Sequence, residues 1–304
     1  MPTNKIEGDE WSEWLLHRRH ANDPGYERQV RTDVEQYTNR VLDGAQLSSG
    51  MTLIDIGTGE GVVAFSAVER IGVSIRVILT DISSHMLHHA ESIAERRGIR
   101  NQCTFLQCPA DKLNDIADAS VDAVTARAAL AYVGDKRAAF REIKRVLKSG
   151  GRLSIAEPIF RDEALEVAAL KKSIDMQPAD SQDRFLNLLH RWKSSQFPDT
   201  DEKIAASPIA NFSERDLVSL AYSTGFTGIR LEFHVDITLG NVRSWNVLLS
   251  VSPHPWAPSL NTIMAEQFSP DDRELFEQIL RPIVESGQFI SSNRVAFLTA
   301  KKDA

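Results

Sequence analysis

The chain has 304 residues, of which 42% are hydrophobic and 25% charged, and its formal net charge is −7. This length and composition suit a globular protein with one large domain and a sizeable core. The acidic balance argues against nucleic acid as a partner, and no apolar run approaches the roughly 20 residues that cross a bilayer. The first ten residues are polar and unlike a secretory signal, and two cysteines give no disulfide framework, so we expect a cytoplasmic protein.

The first half of the chain predicts two leading helices and then an alternation of strands and helices. The second leading helix, 26–42, places apolar side chains on one helical face. The predicted strands are 51–56, 75–80, 103–107, 121–126 and 152–156, and the predicted helices between them are 61–70, 83–97 and 135–148. We expect Gly150 and Gly151 to cap the last of these helices. Apolar strands separated by helices indicate a parallel sheet that is covered on both faces.

The alternation stops after Pro158, and the second half is mainly helical. Ser213 predicts the start of a helix as its N-cap, and two further strands follow at 229–237 and 294–300. Long helical insertions occupy about 160–212 and 240–290. We interpret them as lids within one domain, 45–304, which follows a helical N-terminal cap, 1–44.

The segment 53–61, Leu-Ile-Asp-Ile-Gly-Thr-Gly-Glu-Gly, reads as a buried strand that ends in a glycine-rich turn. Glycines at alternate positions let the backbone approach a ligand closely, since no Cβ intervenes and positive φ costs little. The spacing is G-x-G-x-G, whereas the dinucleotide fingerprint is G-x-G-x-x-G and would need a glycine at Val62. The departure argues against NAD or FAD, although an oxidoreductase stays as a remote alternative.

Acidic residues follow two of the predicted strands. Asp81 ends the second strand, and Asp111 follows the third in Cys-Pro-Ala-Asp. Ligands of open α/β sheets bind outside the carboxyl ends of the strands. The two oxygens of Asp81 could accept from both hydroxyls of a ribose, or its carboxylate could cap the next helix. Together with the glycine turn, the ribose role is favoured.

These motifs, with Val-Asp-Ala-Val-Thr-Ala-Arg at 121–127, resemble the core of the class I S-adenosylmethionine (SAM) methyltransferases. The resemblance covers residues 51–157. It implies a seven-stranded, Rossmann-like α/β sheet, mostly parallel with an antiparallel last strand, and SAM as cofactor with S-adenosylhomocysteine as product. It also implies that Asp111 meets the adenine amine. The cofactor-binding residues that it implies are Asp55, Gly57, Thr58, Gly59, Gly61, Asp81, Ile82, Ala110, Asp111, Thr125 and Ala126.

The sequence says less about the methyl acceptor than about the cofactor. Arg127 follows the fourth-strand motif, and we expect it to position the acceptor near the methyl donor. Other candidate substrate-binding residues are Arg18, Arg19, Tyr26, His190 and Arg191. Three histidines at helical spacing (His85, His88 and His89) lack a zinc-protease pattern, so we expect no metal.

The start, Trp-Ser-x-Trp-Leu-Leu-x-Arg-Arg-His at 11–20, resembles enzymes that methylate the C-terminal carboxylate of lanthipeptides. This resemblance implies a modified peptide as acceptor and fits an arginine-lined site, because a carboxylate needs cationic donors but no base. Two alternatives stay open: methylation of a small phenol, quinone or amine, and a SAM-binding module without activity. We expect a monomer or homodimer with no nucleic-acid or membrane partner.

Overall fold

A computed structural model describes residues 8–178, 183–239, 244–288 and 290–303 of the protein. The described residues contain one seven-stranded sheet. Its strands are β1 (Thr52–Ile56), β2 (Arg76–Asp81), β3 (Cys103–Gln107), β4 (Val121–Arg127), β5 (Leu147–Pro158), β6 (Phe226–Leu239) and β7 (Ile290–Lys302). The strand order is β3-β2-β1-β4-β5-β7-β6, and β7 alone runs antiparallel to its neighbours. The predicted fold class, mostly parallel with an antiparallel last strand, is confirmed.

Helices cover both faces of the sheet. They are α1 (Glu10–Glu13), α2 (Pro24–Ala45), α3 (Val62–Ile71), α4 (Ser84–Arg96), α5 (Lys136–Val146), α6 (Arg161–Asp175), α7 (Arg184–Ser194), α8 (Asp201–Ala206), α9 (Glu214–Thr224), α10 (Trp245–Ser250), α11 (Leu260–Gln267) and α12 (Pro270–Glu285). One core cluster lies between the sheet and α2, α3 and α4, and another between the sheet and α5 and α9. A π-helical turn, Trp14–Arg18, directly follows α1. None of these helices has both the length and the apolar character that a membrane span requires within the described residues.

The helices of the two insertions form two apolar clusters outside the sheet, and the larger one is shared by both insertions. Side chains of α7, α10, α11 and α12 pack together around Phe276, and α6 and α8 form a smaller cluster. Both insertions leave the sheet next to the carboxyl ends of β5 and β6, which is the edge where the predicted site residues lie. The domain boundaries and the role of the insertions as lids stay predictions.

The predicted helix cap at Gly150 and Gly151 is wrong. The helix α5 ends at Val146, and β5 begins at Leu147 in extended conformation. Gly150 has a φ of +75°, and a Cβ on Gly151 would lie 2.8 Å from the carbonyl oxygen of Lys148. The register between β4 and β5 shifts at this point, so the glycines permit a bulge inside a strand.

Candidate active site

The glycine turn after β1 brings the backbone close to neighbouring segments. Gly57 and Gly59 have φ values of +61° and +54°. A Cβ on Gly57 would overlap the Cβ of Ala129, and one on Gly59 would lie 3.5 Å from Cδ1 of Leu15. Gly61, which also has positive φ, faces the ring of Phe65 and serves packing within α3. A side chain at Gly57 is therefore excluded both by conformation and by space.

The buried carboxylate of Asp55 holds this turn in place through hydrogen bonds. Asp55 accepts hydrogen bonds from Oγ1 of Thr58 at 2.7 Å and from Oγ1 of Thr125 at 2.8 Å. Burial raises the pKa of Asp55 to about 6, although both hydroxyls favour its charged form. The three side chains tie the glycine turn to β4 and so set its shape.

Asp81 lies at the end of β2 beside the turn. Its Oδ2 accepts from the backbone N–H of Gly59 and its Oδ1 from the N–H of Ser83, both at 2.9 Å. Burial raises the pKa of this carboxyl group, and the backbone donors act against that rise. A carboxylate has about four lone-pair sites, so each oxygen keeps capacity for one more donor. Two adjacent hydroxyl groups match that capacity.

A cavity of about 100 Å³ lies between the glycine turn and Asp81. Four residues predicted to bind the cofactor meet in its wall, namely Gly57, Asp81, Ile82 and Ala110. Asp111 follows Ala110 without lining the cavity, and Ala126 is fully buried inside β4. Tyr132 and Trp11 close the opposite side.

Residues 9–19, which we call the strap, cover this cavity. Trp11 lines it and contacts the ring of Tyr132 edge-on, with ring centroids 5.0 Å apart. Arg19 donates to Oε2 of Glu60 in the glycine turn at 2.9 Å. At the other side, Trp14 Nε1 donates to the carbonyl oxygen of Ser252 at 2.9 Å. The strap therefore joins the glycine turn to the second insertion.

A larger cavity, the main cleft, has a volume of about 470 Å³ and opens beyond the carboxyl ends of β4 and β5. Its described wall includes side chains of the strap, α2, α6 and β7. Among them are Trp14, Arg19, Tyr26, Tyr37, Arg127, Tyr132, Phe160, Glu163, Asp236 and Arg294. The strap thus forms part of the wall of both cavities.

Arg127, the last residue of β4, lies in the wall of the main cleft. Within the described residues it makes no hydrogen bond and no ion pair. Burial lowers its pKa, and so does the nearby charge of Arg19. The side chain is half-buried, and the charges of Asp55, Glu60 and Glu157 oppose the lowering of the pKa without approaching to ion-pair distance, so the guanidinium is free to bind an anionic ligand from the cleft.

The other two arginines of the cleft are already neutralised. Arg19 pairs with Glu60, and both side chains are only 16% exposed. Arg294 lies within ion-pair distance of three carboxylates, at 3.4 Å from Asp162 and 3.1 Å from Glu163, with Glu166 as the third. Arg127 is thus the arginine of this cleft that has no carboxylate partner in the part of the chain that the structure describes.

Glu157, at the end of β5, shapes the loop that follows Arg127. It is fully buried and accepts from the N–H of Ala131 at 2.9 Å and of Ala129 at 3.3 Å. Burial raises its pKa to about 7. Ala128, between Arg127 and this anchored segment, has a φ of +51°. Glu157 therefore holds a strained loop against the glycine turn.

The structure separates the candidate substrate-binding residues into two groups. Arg19 and Tyr26 line the main cleft with Arg127. Arg18 donates to the carbonyl oxygen of Pro255, His190 lies 3.2 Å from Asp199, and Arg191 donates to the carbonyl oxygen of Gln267. None of these last three is among the described residues that line the cleft.

Two residues near the cavities were not among the sequence candidates: Glu157 and Lys193. Glu157 could have been found from the sequence, because it is a charged residue at the carboxyl end of a predicted strand, where ligands of open α/β sheets bind. Lys193 follows the apolar pair Leu188 and Trp192, whose i, i+4 spacing marks the buried side of α7. The described residues contain no group of three or more His, Cys, Asp or Glu side chains that could hold a metal ion.

Comparison with known proteins adds family evidence to this geometry. A family model described as a methyltransferase domain matches residues 47–196. The O-methyltransferase rstn1 of Aspergillus nomiae is 30% identical over 204 residues, which cover 65% of this chain and 88% of that protein. The chain belongs to the class I SAM-dependent methyltransferases.

Two similarities that cover less of the compared proteins also support the methyltransferase family. The ubiquinone/menaquinone biosynthesis C-methyltransferase UbiE of Xanthomonas oryzae is 37% identical over 113 residues, which cover 37% of this chain and only 44% of that relative. The solved phosphoethanolamine N-methyltransferase 2 of Haemonchus contortus, in complex with SAM, has a TM-score of 0.50 at 17% identity and shares the fold. That alignment covers 89% of this chain and 53% of the other.

SAM is therefore the cofactor of this methyltransferase. It supplies a methyl group that its sulfonium has already activated, so the protein contributes position and a dry site. The residues around the smaller cavity fit such a ligand, since a side-chain-free turn adjoins a carboxylate with spare acceptor capacity and apolar walls. Which of the eleven predicted residues touch the cofactor stays a proposal.

Proposed function

We propose that this methyltransferase forms a methyl ester on a carboxylate, and that the acceptor is the C-terminal carboxylate of a peptide natural product of the lanthipeptide kind. The observation that carries this proposal is the guanidinium of Arg127, which faces the main cleft without a partner among the described residues. A guanidinium matches a carboxylate with two parallel hydrogen bonds.

The chemistry of a carboxylate fits the side chains of the cleft. A carboxylate is ionised at neutral pH, so the O–CH₃ bond can form as the S–CH₃ bond breaks without loss of a proton. No histidine is among the described residues of the cleft wall. The product ester is neutral and the carboxylate is not, so the attraction of Arg127 favours the substrate over the product.

The volume of the cleft supports a peptide over a very small acid. At about 470 Å³ it exceeds the need of a single carboxylate and falls in the range of drug-sized ligands. The strap resembles the lanthipeptide methyltransferases in sequence, and the strap forms part of this wall. Both features favour an acceptor with a sizeable body.

A phenol is the second candidate, and Glu163 is the observation that favours it. Its Oε2 is buried without a hydrogen bond in the described part of the chain, while Oε1 accepts from Arg294. Burial raises the pKa of Glu163, which makes its carboxylate a better proton acceptor. The relative rstn1 is named an O-methyltransferase, a name that both acceptors would fit.

A test uses SAM with a deuterated methyl group and N-acetylated peptides that lack Tyr, Lys and Cys, in linear and thioether-bridged forms. Mass spectrometry should show one labelled methyl on the free acid and none on the C-terminal amide. Mild alkali should remove the label, because an ester hydrolyses and an aryl ether or methylamine does not. Label that survives alkali, or that is found on the amide, would contradict carboxylate methylation.

A further inference from the structure

The main cleft continues into a second cavity of about 450 Å³, which we call the second arm. The two share Trp14, Arg19, Tyr26, Phe160, Glu163 and Arg294 in their walls, so they form one continuous space. The arm leads away from Arg127 and into the helical insertions, where Trp192 and Lys193 of α7 and Leu248 of α10 line it. A ligand held at Arg127 can therefore extend towards α7.

Lys193 is the cation of this arm that has no ion-pair partner among the described residues, although Glu163 and Glu166 line the same arm. Its Nζ makes no hydrogen bond or ion pair with a described residue, and it lies 4.0 Å from the centroid of the Trp192 ring. Its side chain is half-buried, and burial lowers its pKa to about 8, so it is still charged at neutral pH. Contact with an indole compensates only part of the lost hydration of an ammonium group.

Two carboxylates near Lys193 do not serve as its partners. Glu163 and Glu166 both lie within ion-pair distance of Arg294. The side chain of Glu166 is 64% exposed, so water screens its charge. Neither carboxylate approaches Nζ of Lys193 within 4 Å, the limit of an ion pair.

Two other polar atoms near the arm are shielded from it. Nε1 of Trp192 and Oγ of Ser252 make no hydrogen bond within the described residues, but both atoms are buried, so a ligand in the arm does not reach them in this conformation. Lys193 is therefore the unpaired donor that a ligand in the arm can meet.

We infer that the second arm binds a second acidic group of the acceptor, a carboxylate that is recognised by Lys193 and is not methylated. This inference rests on the proposed function, in which Arg127 holds the first carboxylate. The substrate class is then a diacid, such as a peptide with an acidic side chain near its C-terminal carboxylate. Lys193 acts as a specificity residue, because it contacts the body of the substrate and not the reacting oxygen.

The test compares three N-acetylated peptides that differ only in the penultimate residue, which is Glu, Gln or Lys. For the wild-type protein we expect kcat/KM for the Glu peptide to exceed that for the Gln peptide about tenfold, as a charge-assisted pair predicts. The Lys peptide should be the poorest. Lys193→Met should abolish the preference for Glu, chiefly through KM, and Lys193→Arg should keep it. Lys171→Met on α6, whose lysine pairs with Asp175, is the control.

The possible outcomes distinguish a failure of the second acidic site from a failure of the proposed carboxylate methylation. Equal methylation of the three peptides, a preference for Lys, or an unchanged Glu preference in Lys193→Met would overturn the second acidic site and leave ester formation standing. Failure to methylate any of the free acids would overturn both. Thermal unfolding of each variant shows whether a lost preference reflects a lost fold.

Discussion

Arg19 of the strap and Glu60 of the glycine turn form an ion pair of 2.9 Å in which both side chains are only 16% exposed. The cavity beneath the strap measures about 100 Å³, and Trp11 of the strap forms part of its wall. Because the strap covers this cavity, we expect it to control how fast a ligand leaves the cavity. The ion pair is the polar contact between the strap and the turn, and Leu15 of the strap also lies next to Gly59.

Glu60→Gln should therefore loosen the strap. We expect S-adenosylhomocysteine to dissociate several-fold faster, because the closed position loses a partly buried charge pair. Stopped-flow fluorescence can measure the rate, since Trp11 and Trp14 lie on the strap. Glu69→Gln removes a carboxylate from an exposed pair with Arg97 and serves as control. Equal dissociation rates in the two variants would show that the pair does not hold the strap.

The fold could be predicted in outline because its signals are local. Buried parallel strands are apolar runs, and the helices between them have apolar faces, so the predicted bounds of β1 to β4 and of α3, α4 and α5 agree with the structure within about two residues. The strand β5 begins at Leu147, five residues before its predicted start. The error at Gly150 arose because a glycine pair looks alike at a helix end and in a strand bulge. Only the pairing partner β4 distinguishes the two.

Gly57→Ala should abolish cofactor binding and lower stability. The new Cβ would overlap Cβ of Ala129, in addition to the cost of about 1 kcal/mol for positive φ. Gly50→Ala isolates the second effect, because Gly50 has a φ of +83° and no atom within 4 Å of an added Cβ. The double variant Gly57→Ala, Ala129→Gly should recover part of the loss in calorimetry with S-adenosylhomocysteine. No recovery would mean that the overlap with Ala129 is unimportant.

Asp81→Asn should raise the dissociation constant of S-adenosylhomocysteine roughly tenfold to a hundredfold, the worth of hydrogen bonds to a charged group. Asp122→Asn is a matched control, because Asp122 also accepts from a backbone N–H beside β1, that of Thr52 at 2.8 Å. It lies at the opposite end of the sheet from the cavity. Isothermal titration of both variants tests whether Asp81 binds the cofactor. If Asp81→Asn bound S-adenosylhomocysteine as tightly as the control, the role of Asp81 would be contradicted.

Glu157 predicts a pH dependence of stability. Its pKa is raised from 4.5 to about 7, so the stability that comes from its protonated form is present below pH 4.5 and is lost as the pH rises through 7. Glu157→Gln stays neutral throughout. The Tm of this variant relative to wild type should therefore increase by a few degrees between pH 5.5 and pH 8.5. A difference that is constant or falls with pH would contradict the raised pKa.

The site could be predicted from the sequence only where a motif carries its own geometry. The glycine turn and Asp81 follow directly from strand ends, and they meet at one cavity. Lys193 and Arg191 lie two positions apart on α7, and only the tertiary structure shows that Lys193 lines the second arm and Arg191 does not. Arg18 donates a hydrogen bond to the carbonyl oxygen of Pro255 in the second insertion. The two residues are far apart in sequence, so no local pattern could predict this contact.

The central claim is that Arg127 serves the acceptor and not the cofactor, and kinetics of Arg127→Met test it most directly. With a carboxylate acceptor, KM should rise at least tenfold, the affinity for S-adenosylhomocysteine should stay within about twofold of wild type, and Arg127→Lys should recover part of the loss. Weakened cofactor binding with an unchanged KM for the acceptor would contradict the account.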